Sequence, residues 1–230
     1  MKRILITGAS RGIGRAITEK LAAADVELLL HGRDNVALAE VCRSVESRSG
    51  KVVKLSYDLA TKDGVSRLIE AVGDAPLTLL INNAGIAVVK PYTEITEIEW
   101  EQTLGVNVTA PFMLIQHFAP RMKPGSCIVN MLSIAAKTGF AGWSAYCMSK
   151  FALEGFSQSI REELRVHKVR VINVYPAATD TEIWRNVEGE WPREKMMSAE
   201  DVASAVAYAV SQPEQVLVEN ITLGAVSGNL

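Results

Sequence analysis

The sequence has few of the residues that build disulfide scaffolds and metal sites. It contains three cysteines, Cys42, Cys127 and Cys147, and three histidines, all scattered along 230 residues. An odd number of widely spaced cysteines excludes a disulfide framework, and no pair has the spacing of zinc ligands. We therefore expect no metal site, and we expect the protein to reside in the reducing cytoplasm.

The sequence also lacks long apolar runs and an excess of one charge. No stretch approaches the roughly 18 apolar residues of a membrane span. The apolar start stops at Thr7 and Gly8, too early for a signal peptide. The 24 basic and 26 acidic residues give a net charge of −2, which argues against a generally basic nucleic-acid surface. We expect neither a membrane nor a nucleic acid as partner.

Short apolar runs alternate with helical stretches from end to end. Because the runs are continuous rather than alternating, they are typical of strands buried on both faces, as in a parallel sheet. The repeated strand–helix order predicts an α/β fold, a Rossmann-type doubly wound parallel sheet of about seven strands with helices on both faces. The length favours a single domain over residues 1–230. The predicted strands are 3–7, 26–31, 51–57, 77–81, 126–132, 169–174 and 216–223.

One long helix is predicted between the fourth and fifth strands. Thr96 and Glu99 form a Thr-x-x-Glu capping box, so the helix should begin near Glu97 and run to about Arg121. Pro111 lies inside this span and predicts a kink.

A glycine-rich loop, TGASRGIG, joins the first strand to the first helix over Thr7–Gly14. Gly8 permits a sharp turn, Gly12 lets the backbone approach a pyrophosphate, and Gly14 lets the helix pack close to the strand. The N-terminus of the helix then offers free N–H groups to phosphates. This loop predicts nucleotide binding.

The loop spacing differs from G-x-G-x-x-G and resembles the TGxxxGxG of the short-chain dehydrogenase/reductase family. Three further motifs carry the resemblance over essentially the whole chain. The fourth strand ends in NNAG, Asn82 to Gly85, and YxxxK follows at Tyr146 and Lys150. Ser133 lies 13 residues before the tyrosine, just after the fifth strand.

The resemblance implies a catalytic site of Asn107, Ser133, Tyr146 and Lys150. Residues i and i+4 of a helix share one face, and an ammonium beside a phenol lowers the phenol pKa. In such a site Tyr146 exchanges a proton with the substrate oxygen and Ser133 orients the carbonyl. Lys150 lowers the tyrosine pKa and binds ribose, and Asn107 supports a water that links the lysine to solvent.

The end of the second strand, His31-Gly32-Arg33-Asp34, bears on the choice of cofactor. An acidic residue would select NAD, but the acidic position of the family falls on Gly32. Arg33 follows, and Arg11 of the glycine loop can reach the same 2′-phosphate. We therefore expect NADP(H) to be preferred over NAD(H). Alternatively Asp34 selects the cofactor, although it also looks like the N-cap of the next helix.

The resemblance carries further cofactor contacts onto this chain. Asp58 is expected to hold the adenine, and Thr181 and the backbone near Thr179 to meet the nicotinamide carboxamide. Ala177 replaces the usual glycine after Pro176. The complete set of expected cofactor residues is Gly8, Ser10, Arg11, Gly12, Ile13, Gly14, Arg33, Asp58, Leu59, Asn83, Ala84, Gly85, Tyr146, Lys150, Pro176, Thr179 and Thr181.

Residues 179–198 coincide with the variable substrate lid of the family. Trp184 belongs to this lid, and Phe140 and Trp143 are expected to form the opposite wall of the pocket. An aromatic-lined pocket suits a small apolar ketone, aldehyde or hydroxy acid. The leading hypothesis is therefore an NADP-dependent oxidoreductase that transfers hydride between NADPH and such a carbonyl, with Tyr146 as general acid and base.

Two alternatives remain. The first is reduction of 3-oxoacyl thioesters of an acyl carrier protein or CoA, for which Arg161, Arg165, Lys168 and Arg170 could dock an acidic carrier. The second is a non-catalytic sensor of NADP(H), which is less consistent with a chain that keeps all four site residues. The resemblance also implies a homotetramer or homodimer, joined through the helices near 97–121 and 145–167.

Overall fold

The computed structural model describes residues 1–187 and 191–228, and its centre is one parallel sheet of seven strands. The strands are β1 (Lys2–Ile6), β2 (Val26–His31), β3 (Lys51–Leu55), β4 (Leu79–Asn82), β5 (Cys127–Met131), β6 (Arg170–Pro176) and β7 (Asn220–Leu223). Their order in the sheet is β3-β2-β1-β4-β5-β6-β7, and every pair of neighbours runs parallel. The predicted doubly wound α/β fold is thereby confirmed.

Helices cover both faces of the sheet. Three of them, α1, α2 and α7, pack with one set of strand residues, and α3, α5 and α6 pack with the other set. In β1 the two sets alternate, because Ile4 and Ile6 face the first group and Leu5 the second. The helices are α1 (Gly12–Leu21), α2 (Asn35–Glu46), α3 (Lys62–Val72), α4 (Glu97–Leu104), α5 (Ala110–Phe118), α6 (Ser144–Arg165) and α7 (Ala199–Val210).

The last strand is shorter than the sequence predicts. Its apolar run begins at Val216, but pairing with β6 begins only at Asn220. The Val216 N–H instead donates to the Pro213 carbonyl at 2.8 Å and closes a turn. Because the Val216 N–H is used in this turn, it is not available for a hydrogen bond to a neighbouring strand.

The predicted long helix is interrupted. It begins at Glu97 with the expected capping box, in which Thr96 Oγ1 accepts the Glu99 N–H and the Glu99 carboxylate accepts the Thr96 N–H. A π-helical segment, Gly105–Thr109, then separates α4 from α5. Pro111 lies in the first turn of α5, where a missing N–H is tolerated. The distortion therefore occurs one turn before the predicted proline kink.

Asparagines occupy one level of four neighbouring strands. Asn82 of β4 is opposite Asn130 of β5, which is opposite Asn173 of β6 and, one strand further, Asn220 of β7. Asn82 Nδ2 donates to Asn130 Oδ1 at 2.8 Å, and Asn130 Nδ2 donates to Ser157 Oγ of α6 at 2.7 Å. The first three of these side chains are buried, so this asparagine row is a polar layer inside the sheet.

Within residues 1–187 and 191–228, no helix is both long and apolar enough to cross a membrane.

Candidate active site

Two adjoining cavities open at the carboxyl ends of the central strands. The first has a volume of about 640 Å³ and extends from the glycine loop to Lys150. The second has a volume of about 180 Å³ and lies between Ser133 and Trp184. Tyr146 lines both cavities. The carboxyl edge of an open parallel sheet is the usual place for a ligand in such folds.

The glycine loop has the backbone conformation that its sequence predicts. Gly8 and Gly12 have φ angles of +68° and +53°, which disfavour residues with a Cβ. A Cβ on Gly14 would lie 2.1 Å from the Gly8 carbonyl oxygen, so only glycine permits this helix–strand contact. Helix α1 begins at Gly12, which lines the first cavity, so its N-terminus faces that space.

Thr7 fastens the loop to the end of β4. Its hydroxyl oxygen accepts the backbone N–H groups of Asn83 and Ala84, both at 3.0 Å, and the hydroxyl donates to the Ile81 carbonyl at 3.3 Å. The side-chain amide of Asn83 donates in turn to the backbone carbonyls of Thr7 and Gly8. Two motifs that are far apart in sequence, TGxxxGxG and NNAG, thus form one hydrogen-bonded unit.

The rim beside β2 is basic and has little room for an acidic side chain. A Cβ on Gly32 would lie 3.0 Å from Ser10 Cβ, so a larger residue there would have to push the loop aside. Arg11 and Arg33 are exposed and line the first cavity. Asp34 caps α2 by accepting N–H groups of its first turn, as expected. Two guanidinium groups at this rim suit a phosphate dianion.

His31 was not among the predicted site residues, yet it lines the first cavity. Its Nε2 lies 3.0 Å from the Tyr57 carbonyl oxygen, and its Nδ1 lies 3.4 Å from the Gly8 N–H. These contacts fit a neutral ring that donates from Nε2 and accepts at Nδ1. Burial lowers the pKa of His31 below its usual value, and the hydrogen bond to Tyr57 opposes this shift.

The predicted catalytic residues Ser133, Tyr146 and Lys150 lie together between the cavities. Burial raises the pKa of Tyr146 to about 12, although its hydrogen bond with Ser133 opposes the shift. Burial lowers the pKa of Lys150 to about 8. The Lys150 Nζ donates to the Met131 carbonyl at 2.8 Å and lies 5.5 Å from the centre of the Tyr146 ring. The pKa of Tyr146 is therefore raised by burial, whereas the spacing of Tyr146 and Lys150 predicts that it is lowered.

Both polar atoms of the Asn107 side chain form hydrogen bonds, to the loop after β4 and to α6. Its Oδ1 accepts the Ile86 N–H, and its Nδ2 donates to the Ile86 carbonyl and to Ser149 Oγ, each at 2.9 Å. Ser149 donates to the Tyr146 carbonyl at 2.7 Å. The π-helical segment thus holds the loop after β4 against the helix of Tyr146. Ser149, next to Lys150 in the YxxxK motif, was missed because a serine inside a helix carries no specific signal.

The second cavity gathers the predicted substrate residues. Phe140, Trp143 and Trp184 all line it, together with Trp191. The lid predicted at 179–198 includes residues 188–190, which lie outside the described residues. On either side of that gap, the lid contributes Trp184 and Trp191 to one wall.

Most of the predicted cofactor residues line the first cavity. Three do not: Gly14 lies beneath the loop, Thr179 lines the second cavity, and the Asp58 carboxylate accepts the Ala60 N–H. A contact between Asp58 and adenine stays a prediction. Those that do line it are Gly8, Ser10, Arg11, Gly12, Ile13, Arg33, Leu59, Asn83, Ala84, Gly85, Tyr146, Lys150, Pro176 and Thr181.

The basic cluster considered for an acidic carrier does not form an exposed patch. Arg161 is buried and donates to the carbonyls of Val171 and Glu219. Arg170 is also buried and donates to the backbone carbonyls of Gly125, Val210, Gln212 and Val216. Both side chains are structural, because they satisfy carbonyls at the ends of strands and helices. Arg165 and Lys168 are exposed, so only half of the predicted cluster is accessible to an acidic carrier.

Comparison with known proteins gives consistent matches. The family model described as short chain dehydrogenase matches residues 2–191. An uncharacterized oxidoreductase of Staphylococcus saprophyticus is 32% identical over 227 residues, covering 96% of each chain. The sepiapterin reductase of Chlorobaculum tepidum is 33% identical, covering 100% of this chain and 99% of that one. A short chain dehydrogenase from Burkholderia cenocepacia, crystallised with NADP, has a TM-score of 0.84 at 30% identity and 96% coverage of both chains.

Proposed function

Because the chain belongs to the short-chain dehydrogenase/reductase family of oxidoreductases, we propose that it reduces the carbonyl of a small apolar ketone or aldehyde with NADPH. The observation that carries the proposal is the position of Tyr146, which lines both the large cavity beside the glycine loop and the small aromatic cavity. A group in this position can act on a substrate in one cavity while a cofactor occupies the other.

The residues of the first cavity fit a dinucleotide that carries an extra phosphate. Gly8 and Gly12 leave the backbone open to a pyrophosphate, and the N-terminus of α1 favours its charge. Arg11 and Arg33 supply two cations beside Gly32, and Asp34, which also lines this cavity, is engaged as the N-cap of α2. NADP is also the ligand named for the Burkholderia cenocepacia structure. NADPH, when bound, supplies a hydride to the carbonyl carbon.

The residues of this chain supply the proton and the orientation. Tyr146, with a pKa of about 12, is protonated at neutral pH and can donate its proton to the carbonyl oxygen. Ser133, its hydrogen-bond partner, lies beside it to hold the same oxygen. Lys150 lies close enough for its positive charge to stabilise the resulting phenolate.

We also propose self-association through the helical segments near 97–121 and 145–167. Phe112 of α5 and Phe151 of α6 have 42% and 47% of their surface exposed, and each lies in one of the two segments expected to join the subunits. A second copy of the chain would cover them. Analytical ultracentrifugation should show a dimer or tetramer, and a Phe112→Glu, Phe151→Glu variant should be smaller; a monomeric parent protein would refute this.

The function is tested by a pair of tyrosine variants. Tyr146→Phe should lose at least about a thousandfold in kcat, because the proton donor is removed, while NADPH fluorescence titration shows nearly unchanged affinity. Tyr208→Phe, on the exposed face of α7, serves as the control and should keep full activity. Near-normal turnover by Tyr146→Phe, or failure of the parent protein to bind NADPH, would overturn the proposal.

A further inference from the structure

The three tryptophans that line the second cavity pack against one another. The ring centroids of Trp184 and Trp191 are 4.8 Å apart, and that of Trp143 lies 5.8 Å and 6.5 Å from them. Trp184 Nε1 donates to the Thr179 carbonyl at 2.9 Å, which sets the orientation of its ring. The wall is therefore a preformed aromatic surface.

Trp143 joins this wall to the proton donor. Its ring meets that of Tyr146 edge-on, with the centroids 5.6 Å apart. It directly precedes α6, and its carbonyl accepts the Cys147 N–H at 2.8 Å, so it belongs to the first turn of the helix that carries Tyr146. A ligand ring that rests on Trp143 therefore has a fixed position relative to the Tyr146 hydroxyl.

The cavity offers no partner for a charged substrate. None of the described residues that line it has a carboxylate, ammonium, guanidinium or imidazole group. Its polar side-chain groups are the hydroxyls of Ser133, Tyr146, Thr179 and Thr181 and the indole N–H groups of its tryptophans, all of them neutral. Burying a carboxylate or phosphate here without a counter-charge would be costly, so the substrate end that enters should be neutral.

The volume of the second cavity is sufficient for a substrate with a single ring. The cavity measures about 180 Å³, and an apolar protein cavity of about 150 Å³ is known to take benzene. There is thus room for one six-membered ring and a short acyl group. An aromatic ring gains edge-to-face contacts with the tryptophans that a saturated ring does not, which corresponds to roughly a two- to tenfold preference.

We propose that this site selects uncharged aryl ketones with a single ring, and that Trp143 is the specificity-determining residue. The proposal rests on the proposed function and narrows its substrate class. The proposal predicts a higher kcat/KM for such ketones than for oxo acids of the same ring size or for 3-oxoacyl thioesters.

The test compares kcat/KM for acetophenone, cyclohexyl methyl ketone, benzoylformate and acetoacetyl-CoA. Acetophenone should exceed cyclohexyl methyl ketone several-fold and benzoylformate at least about tenfold, since only the last carries a carboxylate. Trp143→Leu should lower kcat/KM for acetophenone at least about fivefold, mainly through KM, and abolish the preference over the saturated ketone. Tyr208→Leu, which removes an exposed ring outside the cavity, should change neither. Preference for benzoylformate or the thioester, or an unaltered preference in Trp143→Leu, would overturn the proposal.

Binding without turnover separates this inference from the proposed function. Saturation-transfer NMR should detect acetophenone on the protein with NADP⁺, and Trp143→Leu should weaken the signal. If NADPH binds but acetophenone neither binds nor reacts, the substrate inference fails and the reductase function stands. If acetophenone binds at Trp143 but no ketone is reduced, the proposed function fails and the aryl-binding site stands.

Discussion

Replacement of Thr7 by valine isolates the contribution of one hydroxyl to the site. The side chain is 2% exposed, and its oxygen accepts the N–H groups of Asn83 and Ala84. Valine has the same shape, so the packing is preserved. The part-buried Ala84 N–H loses its acceptor, whereas the Asn83 N–H still donates to the Ile81 carbonyl at 3.1 Å. One unsatisfied donor costs about 1–3 kcal/mol.

This loss should be visible in thermal unfolding. For a chain of this length 1 kcal/mol corresponds to about 2–4 °C, so the midpoint should fall by at least about 2 °C. Affinity for NADPH should fall as well, since the two donors hold Asn83 and Ala84 in the cavity wall. Differential scanning calorimetry and NADPH fluorescence titration measure the two effects on the same samples.

Two further variants serve as controls, one for the change of a buried threonine to valine and one for the loss of the Thr7 hydroxyl. Thr18 is also fully buried, but its hydroxyl only donates to the Gly14 carbonyl within α1, so Thr18→Val leaves no N–H without an acceptor and should cost less than about 1 kcal/mol. Thr7→Ser keeps the hydroxyl and should retain most of the stability. If Thr7→Val unfolds within a degree or two of Thr18→Val, the attribution to Thr7 is wrong.

Three other predictions concern backbone space and protonation. Gly105→Ala should destabilise the protein by about 1–3 kcal/mol in urea unfolding, because its Cβ would lie 2.6 Å from the Ala60 carbonyl oxygen; Gly139→Ala, with open space, should be neutral or slightly stabilising. Because the pKa of His31 is lowered on folding, the unfolded chain binds more protons below pH about 6.5. The free energy of unfolding should therefore fall as the pH drops through this range, and less steeply in His31→Asn. The reductive kcat/KM should fall above pH about 8, where Lys150 loses its charge; a flat profile to pH about 10 would contradict this assignment.

Much of the fold follows from patterns that act locally. Continuous apolar runs such as Val26–His31 are buried on both faces, and the order of strands and helices leaves few ways to connect them. The capping box at Thr96 and the N-cap at Asp34 set the helix starts as predicted, because each cap involves residues within three positions.

The features that the sequence did not predict depend on contacts between distant segments. The π-helical segment places Asn107 against the loop at Ile86, and no local pattern encodes that contact. The raised pKa of Tyr146 reflects burial among several elements, whereas the i, i+4 spacing reports only its neighbour Lys150. His31 lines the cavity because strand β2 ends beside the glycine loop, a fact about the sheet order rather than the residue type.

The asparagine row has a consequence for how the sheet assembles. Apolar strands such as Cys127–Met131 could slide past their neighbours with little loss of burial, since valine, isoleucine and leucine pack similarly at successive positions. A slip of one residue turns every side chain to the other face and would take Asn130 away from both Asn82 and Ser157. Buried amides without partners would then penalise each misaligned arrangement by about 1–3 kcal/mol per lost partner. The asparagine row thus favours the native register of β4 and β5. In that register the two strands end side by side, so the segments that begin with Asn83 and Ser133 start next to each other.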